Sequence, residues 1–209
     1  MKEFLLISFL ITIFFMATAN RMRNYVKILA VQGVLMFAVA LVELTEVSTV
    51  NLIWILFETL IFKAVVVPFF LMRIMKRNHI TRESEPYLSH FASLIIAIGI
   101  MVGTFLLTEK IGLASLDKLF FAVALSTIFF GLYFIVSHRK ILSHVMGYVM
   151  IENGIFIMSL AIGNHMPLLV NLGVLLDIFA SVLILGIFVN EIGDVFNDVD
   201  IDNLTELKD

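Results

Sequence analysis

Cysteine is absent from the 209 residues, which excludes disulfides, thiolate-held iron–sulfur clusters and cysteine zinc sites. Redox chemistry, if this chain takes part in any, belongs to a partner. Charge is scarce as well, at 15% of residues, and there are only 3 prolines. An ordinary soluble domain is roughly 25% charged and about 45–50% apolar. Here the hydrophobic share is 61% and the mean hydropathy +1.05, the composition of an integral membrane protein. The sequence carries no phosphate loop, no nucleophile motif and no basic patch suited to nucleic acid. The five histidines, His79, His90, His138, His144 and His165, fall in loops or near the ends of apolar runs, where solvated or interfacial roles are expected. None has the i, i+4 spacing of a helical metal pair. Neither a catalytic residue, a metal nor a cofactor is expected.

What the chain does have is apolar runs long enough to cross a hydrocarbon core, which takes about 17–25 residues. Seven are legible, at 4–20, 25–44, 50–72, 88–107, 118–137, 143–163 and 167–190. The first follows Met1 and Lys2 and has an A-x-A-like end, yet it stops at Arg21, Arg23 and Lys27, so a retained span is expected rather than a signal peptide. Pro68 falls inside the third run and removes a backbone bond to the Ala64 carbonyl, which predicts a kink. Short loops rich in Lys and Arg stay in the cytoplasm. Arg21, Arg23, Lys27, Arg73, Lys76, Arg77, Arg82, Arg139, Lys140 and Lys208 all fall on one side, against Lys2, Lys110 and Lys118 on the other. This places the N-terminus in the periplasm and the C-terminus in the cytoplasm of a multi-pass protein.

The two ends of the chain also repeat. The stretch 25–72 can be laid over 145–190 so that Gln32 falls on Glu152 and Glu58 on Asp177, and both second halves begin with Asn-Leu. Spans one to three and five to seven then run in the same directions, with the fourth as connector, the parallel type of repeat found among transporters. The expected fold is all-α: a first three-helix unit over 1–75, a connector over 76–117 carrying span 88–107, a second three-helix unit over 118–190, and an acidic tail over 191–209. In the fourth run, Gly99 and Gly103 form a small-xxx-small pair that lets another helix approach closely, so this face is expected to be buried.

A charged side chain near the bilayer centre costs from about 2.5 to more than 10 kcal/mol, so such groups pair, face protein or water, and mark ion pathways. Glu58, Lys63, Glu152 and Asp177 are the candidates, with Gln32, Asn153 and Asn171 as neutral supporting groups. At about 1.5 Å per residue, Glu152 lies roughly 14 Å and Asp177 roughly 20 Å from the cytoplasmic ends of their spans, about a helical turn apart in depth. Glu58 and Lys63 are five apart, about 140° around an α-helix, so each is expected to bind a different helix. Glu152 and Asp177 have no base in their own unit. Acids and a base held in a low-dielectric interior can be tuned to pass a proton between them, which points to a relay. Structural ion pairs that fix helix register are the competing reading.

The stretch "HVMGYVMIENGIFIMSLAIGN…VNLGVLLDIFASVLILGIFVNEI" resembles the K subunit of respiratory complex I and the C subunit of multisubunit Na⁺/H⁺ antiporters, small three-helix proteins with a G-x-x-x-x-E element in the second helix and an acid in the third. Gly147 and Glu152 match the first element, and Asp177 stands at the third-helix acid in place of the more usual Glu. With seven spans, "MIENGIF" and "FETLIFKAVVVPFF", the whole chain resembles more closely the component E family of hydrogenase-4 and formate hydrogenlyase-type complexes. The resemblance implies a non-catalytic subunit of a bacterial inner-membrane complex, whose antiporter-like and hydrogenase partner subunits would hold the metals and couple redox chemistry to proton or sodium movement. Gln32, standing where the second unit has an acid, implies a half-degenerate first unit. A membrane scaffold and a stand-alone secondary transporter are the alternatives.

Overall fold

The computed structural model describes residues 1–43, 53, 57–77, 87–111, 117–163 and 173, without the side chains of 58, 77, 141 and 163. All regular structure among them is helical: α1 (Lys2–Thr18), α2 (Met22–Glu43), a π-helical segment (Glu58–Val66) continuing into α3 (Val67–Arg77), α4 (His90–Lys110), α5 (Lys118–Ser137) and α6 (Ile141–Gly163). Of these, α2, α4, α5 and nearly all of α6 are long and apolar enough to cross a membrane. The six helical stretches fall on the first six apolar runs of the sequence, with the third extended to Arg77. The run at 167–190, with Asp177 and Asn171, lies outside the described residues apart from Gly173, and so does the acidic tail.

Consecutive helices alternate in direction, so their termini gather at two ends of the bundle. At one end Lys2 reaches the Asp117 carboxylate at 3.1 Å and Glu43 at 3.7 Å, drawing together the starts of α1 and α5 and the finish of α2. Asp117 also caps α5, accepting hydrogen bonds from the Leu119 and Phe120 N–H groups. The hydrogen bond to Asp117 raises the pKa of Lys2 above its ordinary value; burial works against the rise and the Glu43 charge adds to it. At the other end Tyr25 donates to the Ala19 carbonyl and sets its ring edge-on to Phe134, which stacks on His138 at 4.0 Å. His138 is therefore buried rather than solvated, with its Nδ1 at 2.9 Å from the Phe134 carbonyl oxygen.

Helix approach is set by small residues. A Cβ on Gly147 would lie 2.9 Å from the Gly131 carbonyl oxygen, and one on Gly154 would lie 3.0 Å from that of Ala124, so α5 and α6 run antiparallel with their backbones almost touching. With little hydrophobic drive between helices in lipid, such close packing is what holds them together. Thr104 and Ser126 hydroxyls meet at 2.6 Å, and Tyr133 donates to Ser93, tying α4 to α5. No described helix of this chain covers Gly99 and Gly103. Both are exposed, with open space where a Cβ would point, because α4 meets its neighbours through Ser93, Ala97, Thr104 and Thr108 instead.

Candidate functional site

The third run does not simply kink. From Glu58 to Val66 its winding is π-helical, and the Val67 N–H donates to the carbonyl of Phe62, five residues back. Pro68 follows at once: it has no N–H to donate, and in an α-helix its ring would collide with the Ala64 carbonyl. π-helices are rare and are frequently found at functional sites. The winding also changes the sequence argument, because five residues close roughly one turn of a π-helix, so the 140° separation of positions 58 and 63 does not apply. Of Glu58 the structure describes only the backbone.

Gly33 of α2 packs against this segment so closely that a Cβ there would fall 2.7 Å from the Ala64 nitrogen and 2.8 Å from the Lys63 carbonyl carbon. This contact lies one residue from Gln32 and reaches Lys63 itself. It is the local reason that polar groups from two helices reach a common interior point.

At that point Lys63, Glu152, Asn153 and Gln32 are all buried. The Lys63 Nζ lies 3.9 Å from the Glu152 carboxylate and donates to the Asn153 side-chain oxygen at 3.3 Å. Asn153 donates onward to Gln32 at 3.1 Å, Gln32 to the Thr12 hydroxyl at 2.8 Å, and Thr12 to the Phe9 carbonyl at 2.6 Å. Every donor in this chain points away from Lys63. The acceptor end of each dipole therefore faces the ammonium, and oriented dipoles of this kind reinforce one another in a low dielectric. The Phe156 ring adds its face, with its centroid 5.5 Å from the Lys63 nitrogen.

The layer is flanked on both sides by apolar packing. Met22, Leu29, Val67, Met146 and Met150 belong to one hydrophobic cluster, and Leu6, Phe9, Met36, Phe156 and Leu160 to another. Gln32 and Glu152 each lie about 15–17 Å along their helices, half of the way through. The polar groups thus occupy mid-depth between two clusters of apolar side chains.

The structure brings together Lys63, Glu152, Asn153 and Gln32 from the sequence candidates. The expectation for Glu152 concerned only bases in its own unit; the structure places Lys63 beside it, because α2 packs against both α6 and the π-helical segment that carries Lys63. Sequence reasoning missed Thr12 and Phe156. A hydroxyl in the middle of an apolar run was the available signal for Thr12; nothing in the pattern set Phe156 apart from the other phenylalanines. At 3.9 Å the Lys63–Glu152 contact is longer than a hydrogen bond, so it is an electrostatic pairing that a sub-ångström shift would convert into a donor–acceptor contact. The amides of Asn153 and Gln32 orient and solvate charge but do not themselves take up protons. Proton exchange at this site would therefore fall to Lys63 and Glu152.

No family model matches the chain. It is 27% identical over 191 residues to the uncharacterized protein Rv0085 of Mycobacterium tuberculosis, covering 90% of this chain and 87% of that one. It is also 31% identical over 117 residues to hydrogenase-4 component E of Escherichia coli K12, covering 56% of this chain and 54% of that protein. The chain thus spans about half the length of the hydrogenase-4 relatives it matches. The component E of Shigella flexneri aligns with the same identity and coverage. No solved structure matches.

Proposed function

We propose that this protein is a membrane-arm subunit of a hydrogenase-4-like energy-converting complex in a bacterial inner membrane, and that Lys63 and Glu152 form a proton-exchanging pair in its ion path. The observation that carries the reading is the buried Lys63–Glu152 contact, set at mid-depth and backed by an oriented chain of neutral dipoles. At an effective dielectric near 20, two charges about 4 Å apart attract by about 4 kcal/mol. Desolvation costs several kcal/mol per ion and opposes that attraction. Desolvation thereby narrows the gap between the ionised pair and the neutral pair formed when the proton moves from Lys63 to Glu152, a gap of roughly 8 kcal/mol in water, and a narrowed gap suits a relay. The similarity to hydrogenase-4 component E supports the setting, in which antiporter-like and hydrogenase subunits supply the redox chemistry. Asp177 and Glu58 extend the path in this proposal, and Asn171 is a supporting polar group beside it.

The test is Glu152→Gln, which keeps size and hydrogen bonding but removes the proton site. In membranes with matched complex levels, assembly persists and coupled ion transport falls at least ten-fold. Full pumping would overturn the relay. Loss of assembly would instead favour the scaffold reading, for which the same buried pair, joining two helices distant in sequence, is the supporting observation.

A further inference from the structure

Lys63 is matched by its surroundings, whereas a second group of cations at one end of the bundle converges on open space. Arg23 and Lys27, four apart on α2, and Lys76 of α3 line a cavity of about 230 Å³ whose remaining lining, among the described residues, is Met72 and Met75. The three basic side chains are exposed, and among the described residues no carboxylate lies within ion-pair distance of any of them. Lys27 also borders a second cavity of about 400 Å³, lined in part by Phe15 and Ile28, so the two cavities share this side chain of α2. This is the end that the Lys and Arg distribution assigns to the cytoplasm.

We infer that this cavity binds the headgroup of an anionic phospholipid. Three like charges held around one concave space repel unless an anion lies between them, and the phosphate-bearing headgroups of the inner leaflet supply one. Arg23 offers planar paired donors to phosphate oxygens, while Lys27 and Lys76 act as point charges. A free phosphate would use the cations alone. A lipid also uses the rest: its glycerol and first methylenes lie on Met72 and Met75, and an acyl chain follows Phe15 and Ile28 into the hydrocarbon layer. The apolar surface beside the charge, continuous through Lys27 from one cavity to the next, therefore selects a lipid over a soluble anion.

The test uses the full chain, delipidated in mild detergent and exposed to phosphatidylglycerol or phosphatidylethanolamine, with retained lipid read by native mass spectrometry. The intact chain should retain phosphatidylglycerol about ten-fold more tightly, and Lys27→Gln should weaken that retention roughly five-fold, with Arg23→Gln and Lys76→Gln each adding a similar loss. Lys110→Gln and Lys118→Gln, which remove charge at the opposite end, should leave it unchanged. Equal retention of the two lipids by the intact chain would overturn the inference, and that comparison needs no variant to fold. An equal loss in the Lys110 or Lys118 variant would overturn it as well. So would displacement of the lipid by millimolar inorganic phosphate, which would assign the cavity to a soluble anion.

Discussion

The Lys63 ammonium lies 3.9 Å from the Glu152 carboxylate, with both side chains almost wholly withdrawn from solvent and from the lipid-facing surface. One residue comes from the first half of the chain and the other from the second, so the contact exists only when α2 holds α6 and the π-helical segment on either side of it. The behaviour of the two residues on substitution is therefore coupled.

Removing one partner of a buried pair costs about 3–5 kcal/mol, because the other charge is left uncompensated, whereas replacing both with apolar groups is often neutral or stabilising. Lys63→Met alone should lower the thermal midpoint of the purified chain markedly. Adding Glu152→Met should restore most of that loss without restoring ion transport. If the double variant is no more stable than Lys63→Met, the two residues do not interact in the manner drawn here.

Gln32→Leu keeps the volume of the side chain but removes the acceptor for Asn153 and the donor to Thr12. A buried polar group left unsatisfied costs about 1–3 kcal/mol. Denaturation in detergent should show a loss in that range. Equal stability of Gln32→Leu and the parent chain would mean that the hydrogen-bonded chain does not persist in solution.

Close backbone approach makes Gly33, Gly147 and Gly154 sensitive to a methyl group, whereas Gly99 and Gly103 are tolerant. Gly33→Ala, Gly147→Ala and Gly154→Ala each place a methyl group 2.7–3.0 Å from atoms of a neighbouring helix, backbone atoms among them, where overpacking costs about 1–3 kcal/mol. Gly99→Ala and Gly103→Ala meet nothing and should leave the stability of the isolated chain unchanged. A thermal-stability series over the five variants checks the contrast. Gly103→Leu adds a separate question: reduced co-purification of a larger complex, with the isolated chain unaffected, would show that a partner helix covers the open face of α4.

The orientation is tested by reporters fused before Met1 and after Asp209, expected in the periplasm and the cytoplasm respectively. Both reporters on one side would mean an even number of crossings, contrary to the seven apolar runs.

Hydropathy and spacing alone located the described helices and the depth of the unusual side chains within them. Apolar runs bounded by Lys, Arg or polar turns have few solutions in a bilayer, because each backbone N–H and C=O must be satisfied within the segment. Position along such a run then translates directly into depth, so Gln32, Lys63 and Glu152 were legible as mid-depth groups from spacing alone. The tertiary structure decided which of them meet. Lys63 and Glu152 belong to different helices, and their contact follows from Gly33 allowing α2 to touch the π-helical segment and from Gly147 and Gly154 drawing α6 onto α5. An α-helical wheel placed positions 58 and 63 on different faces, and the π winding ahead of Pro68 altered that angle. Gly99 and Gly103 teach the converse: small residues permit a close approach, but whether a helix of the same chain takes it up depends on packing that no local pattern encodes.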